Sequence, residues 1–259
     1  MYKTVKGFWW LTIFAAVSIQ CLAQKGKLPA KSVKKAPQVN TTGKERISPG
    51  TQTDRQTTGK ERLVEISTDY GVMVAKLYDS TPLHRDNFIK LVEQKFYDSL
   101  LFHRVINQFM IQGGDPASKN APDSAHLGNG SVSGDRIPAE FKPYFFHKKG
   151  ALAAARDDNP EKASSNCQFY IVQGKVTSPE NLDKLYEARV KPSNESFRYT
   201  KAQKEIYNRI GGVPFLDQNY TVFGEVISGL DVIDKIAQLP KDASDRPLQN
   251  VRMKIKMLN

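Results

Sequence analysis

Residues 102–115 read Phe102-His103-Arg104-Val105-Ile106-Asn107-Gln108-Phe109-Met110-Ile111-Gln112-Gly113-Gly114-Asp115, and this stretch is the most informative part of the chain. It mixes one arginine and two glutamines with large apolar side chains, and it carries no nucleophile–base pair or metal cluster. Such a surface binds an apolar group and donates hydrogen bonds to a nearby amide. It is poorly equipped to break a covalent bond.

The same stretch predicts a strand, a bend and a second segment. Alternate side chains of a strand share a face. The predicted faces are Phe102, Arg104 and Ile106 on one side and His103 and Val105 on the other. The polar pair Asn107-Gln108 predicts a bend before Phe109, Met110 and Gln112. One guanidinium and one amide are therefore expected beside an apolar pocket.

The basic charge lies in the N-terminal quarter of the chain. Of the net charge of +11, residues 1–23 carry +2 and residues 24–62 carry +7, which leaves +2 for residues 63–259. A nucleic-acid-binding domain concentrates its basic residues on the folded part. The nearly neutral remainder predicts no nucleic-acid partner, and its length suits one domain with its own core.

Residues 1–23 have the composition of a secretory signal peptide. Lys3 and Lys6 precede a short apolar run, and Cys21-Leu22-Ala23 offers small residues for cleavage. A membrane-spanning helix needs about 20 apolar residues, so an uncleaved anchor is less favoured. We expect an exported, periplasmic protein. A lipid anchor at Cys21 and secretion into the medium are the alternatives.

Residues 24–62 predict a flexible basic linker. They are rich in Lys, Thr, Gln and Pro and cannot bury enough apolar surface to offset the entropy of ordering. The hexapeptide Thr-Thr-Gly-Lys-Glu-Arg occurs at residues 41–46 and again at 57–62. We interpret it as a small duplication in a spacer. A weak electrostatic contact with an anionic envelope surface is the alternative.

The folded domain is predicted to begin at Leu63. Strands are expected at residues 63–68 and 72–78 around the turn Asp69-Tyr70-Gly71, and Ser80-Thr81-Pro82 predicts a hydroxyl-capped helix that ends near residues 96–98. Further strands are expected at residues 150–155, 168–173, 221–227 and 251–257, and a second helix at 230–239. Many short strands with two helices indicate a mainly β fold, a closed antiparallel barrel capped by two α-helices.

Several motifs together resemble the cyclophilin-type peptidyl-prolyl cis–trans isomerase family. Residues 102–115 match the family signature F-H-R-[VI]-I-x-x-F-M-x-Q-G-G-D at every defined position. Further blocks follow in the family's order: Leu127–Gly130 with Ile137–Phe141, Gly150–Arg156, Ser165–Ile171, and Phe215–Asp217 with Tyr220–Val226. The resemblance covers residues 63–259 and implies one domain, an eight-stranded antiparallel β-barrel capped by two α-helices.

The resemblance implies catalysed rotation about Xaa–Pro peptide bonds, without a cofactor, in the folding of exported proteins. Arg104 would stabilise the twisted bond, and Gln112 would hydrogen-bond the substrate backbone and help orient Arg104. The implied proline pocket consists of Phe109, Met110, Tyr170, Leu216, Phe215 and Tyr220. The implied groove beside it consists of Ala155, Arg156, Gln168 and Gly128, with the backbone at Arg156 pairing with the residue before proline.

Three positions depart from common members of the family. Phe215 stands where well-known eukaryotic members carry a tryptophan whose indole N–H contacts cyclosporin. Because phenylalanine has no donor, weak cyclosporin binding is expected. Tyr170 replaces the more usual phenylalanine and is expected to add a hydroxyl at the pocket rim. Tyr220 stands where many members have a histidine.

Residues 175–211 form an insertion where compact members have a short connection. Ser178-Pro179-Glu180 predicts the start of one helix, and Thr200 the start of another over residues 201–210, which Gly211-Gly212 would end. A helical flap beside the pocket would select extended substrates or bind a partner. A surface embellishment without such a role is the alternative.

Other chemistry is not indicated. The histidines His84, His103, His126 and His147 lack the spacing of metal ligands, so no metal site is expected. His103 is expected to be structural, and Cys167 a lone buried filler once Cys21 leaves with the signal peptide. Arg104 pairing with a buried carboxylate is the alternative to its catalytic role.

Two function classes remain open. An exported isomerase is favoured by the complete set Arg104, Phe109, Met110 and Gln112. A binding module or chaperone that grips proline-containing segments with little turnover is the alternative. In either case the expected partners are proline-containing polypeptides, and a monomer is expected.

Overall fold

The structure, a computed structural model, describes residues 61–258, a mainly β unit with eight strands and four α-helices in this range. The strands are β1 (Leu63–Thr68), β2 (Gly71–Leu77), β3 (Phe102–Ile106), β4 (Met110–Gly113), β5 (Ala151–Ala154), β6 (Phe169–Val172), β7 (Val222–Ser228) and β8 (Lys254–Leu258). The helices are α1 (Pro82–Glu93), α2 (Pro179–Leu185), α3 (Lys201–Arg209) and α4 (Leu230–Ala237). The predicted signal peptide, and the predicted linker except for its last two residues, lie outside the described residues.

All eight strands belong to one antiparallel sheet in the order β3-β4-β6-β5-β7-β2-β1-β8, curled into a half-barrel. The end strands β3 and β8 have no pairing with each other along their length. An antiparallel bridge between Leu101 and Arg252 joins the segments that precede them. The predicted eight strands and their antiparallel pairing are confirmed, and closure of the barrel stays a prediction.

The sheet sorts its side chains onto two faces, as the strand period of two requires. On the inner face Ile111, Ile171 and Leu152 occupy one rung of directly paired residues and belong to the main core. On the outer face the next rung contains Gln112, Tyr170 and Ala153. A second apolar cluster covers this outer face, with Met110, Val172, Val213 and Leu216 among its members.

One predicted face assignment is wrong. Phe102 is fully buried in the inner core together with Val105, whereas Arg104 and Ile106 lie on the outer face. The register of β3 against β4 shifts between Phe102 and Arg104, which makes His103 an extra residue in the ladder. Such a β-bulge interrupts the alternation of side chains, so the strand period cannot be carried across it.

Helices α1 and α4 pack against the inner core, which confirms the two predicted helices. They contribute the buried side chains Phe88, Leu91, Val92, Val232, Ile233 and Ile236. Helix α1 ends at Glu93, earlier than predicted, because Lys95 has a φ of 56° in the left-handed region and turns the chain out of the helix.

The predicted hydroxyl cap of α1 is wrong. The Thr81 hydroxyl donates to the Tyr78 carbonyl and makes no cap hydrogen bond. Instead the carboxylate of Glu140 accepts from the backbone N–H groups of Leu83 and His84, at 3.2 and 3.0 Å. A carboxylate satisfies the unpaired donors of a helix N-terminus as a hydroxyl does, and it also complements the helix dipole.

Residues 175–211, hereafter the helical segment, contain the two helices predicted for them. Ser178 caps α2, and Thr200 and Gln203 form a reciprocal capping box at α3. Leu182 and Tyr207 of the segment pack with Phe146 in a small separate cluster. That compact relatives lack this segment stays a prediction. Over the described range, no helix has the length and apolarity that a membrane span requires.

Candidate active site

A cavity of about 100 Å³ opens on the outer face of the sheet. Its lining consists of Arg104, Phe109, Met110, Gln112, Ala155, Arg156, Tyr170, Leu216 and Tyr220. The structure thus brings together both predicted catalytic side chains, five of the six predicted pocket residues and two of the four predicted groove residues. The cavity combines apolar walls with one amide, Gln112, as expected, but two arginines line it, Arg104 and Arg156, where the sequence predicted one guanidinium.

The other two predicted groove residues lie in an adjoining groove of about 480 Å³. Gln168 and Gly128 line this groove, which shares Gln112, Ala155 and Arg156 with the cavity. The Gln112 amide donates to the Gln168 side-chain carbonyl at 3.1 Å. The Gln168 amide donates in turn to the Gly128 carbonyl at 2.9 Å. The two glutamines are therefore fixed as a pair at the boundary between cavity and groove.

Asp115, the last residue of the opening stretch, fixes the glycine loop that borders the groove. Its buried carboxylate accepts from the backbone N–H groups of Ala117, Gly128 and Gly130. A Cβ at Gly130 would collide with an Asp115 carboxylate oxygen, so only glycine permits this approach. Two separated motifs of the sequence are thus joined by one carboxylate.

The carboxylate partner of Arg104 is Asp245. Its Oδ2 lies 3.4 Å from Arg104 Nε, and its backbone carbonyl accepts from the Val105 N–H at 2.8 Å. Lys241 contacts the other carboxylate oxygen at 2.6 Å. Across residues 61–258 the two terminal nitrogens of Arg104 have no hydrogen-bonding partner. Nothing in the sequence pointed to Asp245, and Gln112, which was expected to help orient Arg104, donates to Gln168 instead.

Arg156 is the second arginine that lines the cavity. Its guanidinium carbon lies 4.7 Å from the centre of the Tyr220 ring, and its Nε donates to the Asn219 carbonyl at 3.0 Å. In the described part of the chain, the backbone N–H and C=O of Arg156 have no hydrogen-bonding partner. They remain available to pair with an extended peptide, as the family resemblance implies.

Phe215 stands apart from the other predicted pocket residues. It is 40% exposed, does not line the cavity, and stacks on the Phe109 ring at 5.7 Å between centroids. Its position is the rim above the cavity wall.

The expected position of the Tyr170 hydroxyl is wrong. Tyr170 is buried, and its hydroxyl does not lie at the rim but bonds to His147 Nε2 at 2.9 Å. His147 Nδ1 in turn donates to Asp217 at 2.7 Å. The phenol ring lines the cavity while its hydroxyl reaches into the protein behind it. His147 and Asp217 were missed, although Asp217 ends the motif that begins with Phe215.

His103 is buried beneath the glycine loop, and neither ring nitrogen has a hydrogen-bonding partner among the described residues. Burial lowers the pKa of His103 to about 4. The neutral ring is therefore the stable form near pH 7, in keeping with the structural role expected for it. In residues 61–258 no three His, Cys, Asp or Glu side chains are grouped to hold a metal ion.

A family model described as cyclophilin type peptidyl-prolyl cis-trans isomerase/CLD matches residues 63–257. A Staphylococcus epidermidis protein named "Putative peptidyl-prolyl cis-trans isomerase" is 33% identical over 201 residues, which cover 77% of this chain and 93% of that protein. A Staphylococcus aureus protein of the same name is 32% identical over 201 residues, which again cover 77% of this chain and 93% of that protein.

Solved structures give the same result for the fold. The crystal structure of a Cryptosporidium parvum cyclophilin type peptidyl-prolyl cis-trans isomerase has a TM-score of 0.56 and 22% identity, covering 77% of this chain and 99% of that one. A second structure of the Cryptosporidium protein, obtained in the presence of the dipeptide Ala-Pro, has a TM-score of 0.55 and covers 76% and 99%.

The buried His103 predicts a loss of stability in mild acid. The unfolded chain binds a proton at this residue below pH about 6.5, whereas the folded chain does so only near pH 4. Between pH 7 and pH 4 the free energy of unfolding should therefore fall by about 3 kcal/mol more in the wild type than in His103→Gln. Urea unfolding at the two pH values measures this.

The matched control is His126→Gln, since His126 is exposed. It should lose as much stability with falling pH as the wild type does. Parallel pH dependences of wild type and His103→Gln would show that His103 is not held neutral by burial.

Proposed function

This chain belongs to the cyclophilin-type peptidyl-prolyl cis–trans isomerase family, and we propose that its Arg104 and the adjoining cavity catalyse the family's reaction on exported proteins. The activity is rotation about the peptide bond that precedes proline. We propose both the residues that perform it in this chain and the location of its clients.

Rotation about an Xaa–Pro bond is slow because amide resonance must be broken. The barrier is about 18–20 kcal/mol, and the uncatalysed reaction takes tens to hundreds of seconds. In the twisted state the prolyl nitrogen becomes pyramidal, and its lone pair can accept a hydrogen bond. A donor placed over that nitrogen stabilises the twisted state more than either planar isomer, which is the requirement for catalysis.

The position of Arg104 is the observation that carries the proposal. Arg104 pairs with Gln112, Gln112 with Tyr170, and Tyr170 with Ala153, so one rung of the outer face runs from the guanidinium to the cavity wall. Directly opposed side chains in a sheet lie about 5 Å apart. Asp245 contacts Nε and leaves the terminal nitrogens to act as donors.

The cavity and the groove supply the geometric part of the mechanism. A proline ring fits the apolar walls formed by Phe109, Met110 and Leu216. The residue before proline would extend into the groove and pair with the free backbone groups of Arg156. The site would hold the proline ring fixed while the acyl group on the other side of the bond rotates, which lowers the entropic part of the barrier. The Cryptosporidium protein solved in the presence of Ala-Pro supports proline-containing ligands for this fold.

Replacing Arg104 tests the catalytic assignment. Arg104→Ala should lower kcat/KM for a short Xaa–Pro peptide by about a hundredfold or more, the usual effect of removing one donor to a transition state. Arg104→Lys should recover little of this loss, because an ammonium lacks the planar donor array. A protease-coupled isomerisation assay measures the rates.

Arg209→Ala is the control, because it removes an exposed arginine of α3. Its rate should equal that of the wild type. Equal rates for wild type and Arg104→Ala would remove the catalytic assignment. If both rates were close to the uncatalysed rate and peptide binding were retained, the binding-module alternative would take its place.

The exposed Phe215 predicts weak inhibition by cyclosporin. It offers apolar area at the rim but no N–H donor. Phe215→Trp should strengthen inhibition about tenfold, the usual contribution of one hydrogen bond. Inhibition constants from the same coupled assay measure this, and nanomolar inhibition of the wild type would contradict it.

We place the mature protein in the periplasm, on the basis of the signal-like residues 1–23. Fractionation of cells that express the whole chain, followed by mass spectrometry, should find a periplasmic protein beginning at Gln24. A lipid-modified N-terminus at Cys21 or recovery from the medium would select the corresponding alternative. Uncleaved protein in the cytoplasm would refute export.

A further inference from the structure

The helical segment makes several polar contacts with residues 213–220, hereafter the pocket loop. This loop carries Leu216 and Tyr220, two walls of the cavity. Two hydrogen bonds join their surfaces, Asn194 Nδ2 to Gln218 Oε1 at 3.0 Å and Asn219 Nδ2 to Ser193 Oγ at 2.7 Å, and Tyr199 Oη lies 3.2 Å from the Pro214 carbonyl oxygen. The segment therefore lies directly behind the loop that shapes the cavity.

Asp217, in the middle of the pocket loop, forms the buried centre of this contact. It is 1% exposed, and its carboxylate accepts four hydrogen bonds. Oδ2 accepts from the hydroxyls of Tyr199 and Tyr207 of the helical segment, both at 2.6 Å. Oδ1 accepts from the backbone N–H and the ring Nδ1 of His147, at 2.8 and 2.7 Å. Half of the donors that compensate this buried group thus come from the helical segment.

His147 connects Asp217 to Tyr170, which lines the cavity. With Nδ1–H donated to the carboxylate, a neutral ring leaves Nε2 to accept the Tyr170 hydroxyl proton. Burial raises the pKa of Tyr170 and Tyr207 well above the usual value, so both phenols keep their protons and act as donors. An unbroken buried chain of hydrogen bonds therefore runs from α3 to the ring of Tyr170.

We propose that the helical segment positions the proline pocket through Asp217, which fixes Leu216 beside it and Tyr170 through His147. The proposal rests on the assignment of the cavity as the proline site. It gives residues 175–211 a positioning role, distinct from both the substrate-selecting flap and the surface embellishment that the sequence alone left open. A buried carboxylate deprived of donors must find others or move, and the pocket loop would move with it.

The chemistry of the walls decides which kinetic constant should change. Leu216 and Tyr170 would contact the proline ring in the planar isomers and in the twisted state alike. Loss of an interaction made equally in ground and transition states raises KM and leaves kcat unchanged. A displaced pocket loop should therefore weaken peptide binding while the step assisted by Arg104 proceeds at its normal rate.

The test is the double variant Tyr199→Phe/Tyr207→Phe, which removes both hydroxyls from Asp217 and keeps the aromatic rings. KM for a short Xaa–Pro peptide should rise about fivefold, equivalent to about 1 kcal/mol, with kcat changed by less than about twofold. The matched control is Tyr186→Phe. The Tyr186 hydroxyl donates to the Phe197 carbonyl within the same segment and does not reach Asp217, so KM should stay at the wild-type value.

Thermal unfolding shows whether each variant is folded at the assay temperature. If the double variant is unfolded at that temperature, the single variants Tyr199→Phe and Tyr207→Phe replace it in the test. Each is expected to raise KM about twofold. An unchanged KM in the folded variants, or a fall in kcat alone, would overturn the positioning role. The proposed function would stand in that case, provided the wild-type protein is active. Inactive wild-type protein would instead overturn the proposed function itself.

Discussion

The rung Arg104–Gln112–Tyr170–Ala153 on the outer face of the sheet is the constraint on which the site depends. Hydrogen bonding between the strands places these four residues side by side. The guanidinium of Arg104, the amide of Gln112 and the ring of Tyr170 are therefore positioned by the sheet and not by a loop. The bulge at His103 makes the arrangement compatible with the core. It turns Phe102 inward and leaves Arg104 outward, although the two are only two residues apart.

Local patterns predicted the elements well, because hydrophobic alternation, helix caps and turn residues act over a few positions. The first strand of the opening stretch and the bend after it, the helices of residues 175–211 and the hairpin at Asp69-Tyr70 follow from them. Two errors, the face of Phe102 and the end of α1, come from a β-bulge and from the left-handed conformation of Lys95. Other errors arise where distant residues intervene. Glu140 replaces Thr81 as the cap of α1 from more than fifty residues away, and no local pattern encodes such a contact.

The same limit applies to the site. Family motifs named the residues that line the cavity, but they gave neither Asp245 beside Arg104 nor His147 and Asp217 behind Tyr170. These contacts join residues about 20 to 140 positions apart in the chain. They matter because the walls of a small cavity must be held in place, and here buried hydrogen bonds hold them. The Tyr170 hydroxyl becomes understandable only once that network is seen.

We propose that Arg104 stands over the prolyl nitrogen of a bound substrate. A crystal structure of the protein with an Xaa–Pro tetrapeptide tests it most directly. We expect the proline ring between Phe109, Met110 and Leu216, and the preceding residue paired with the Arg156 backbone. A terminal nitrogen of Arg104 should lie about 3 Å from the prolyl nitrogen. A proline bound outside the cavity, or an Arg104 turned away from the prolyl nitrogen, would contradict this role of Arg104.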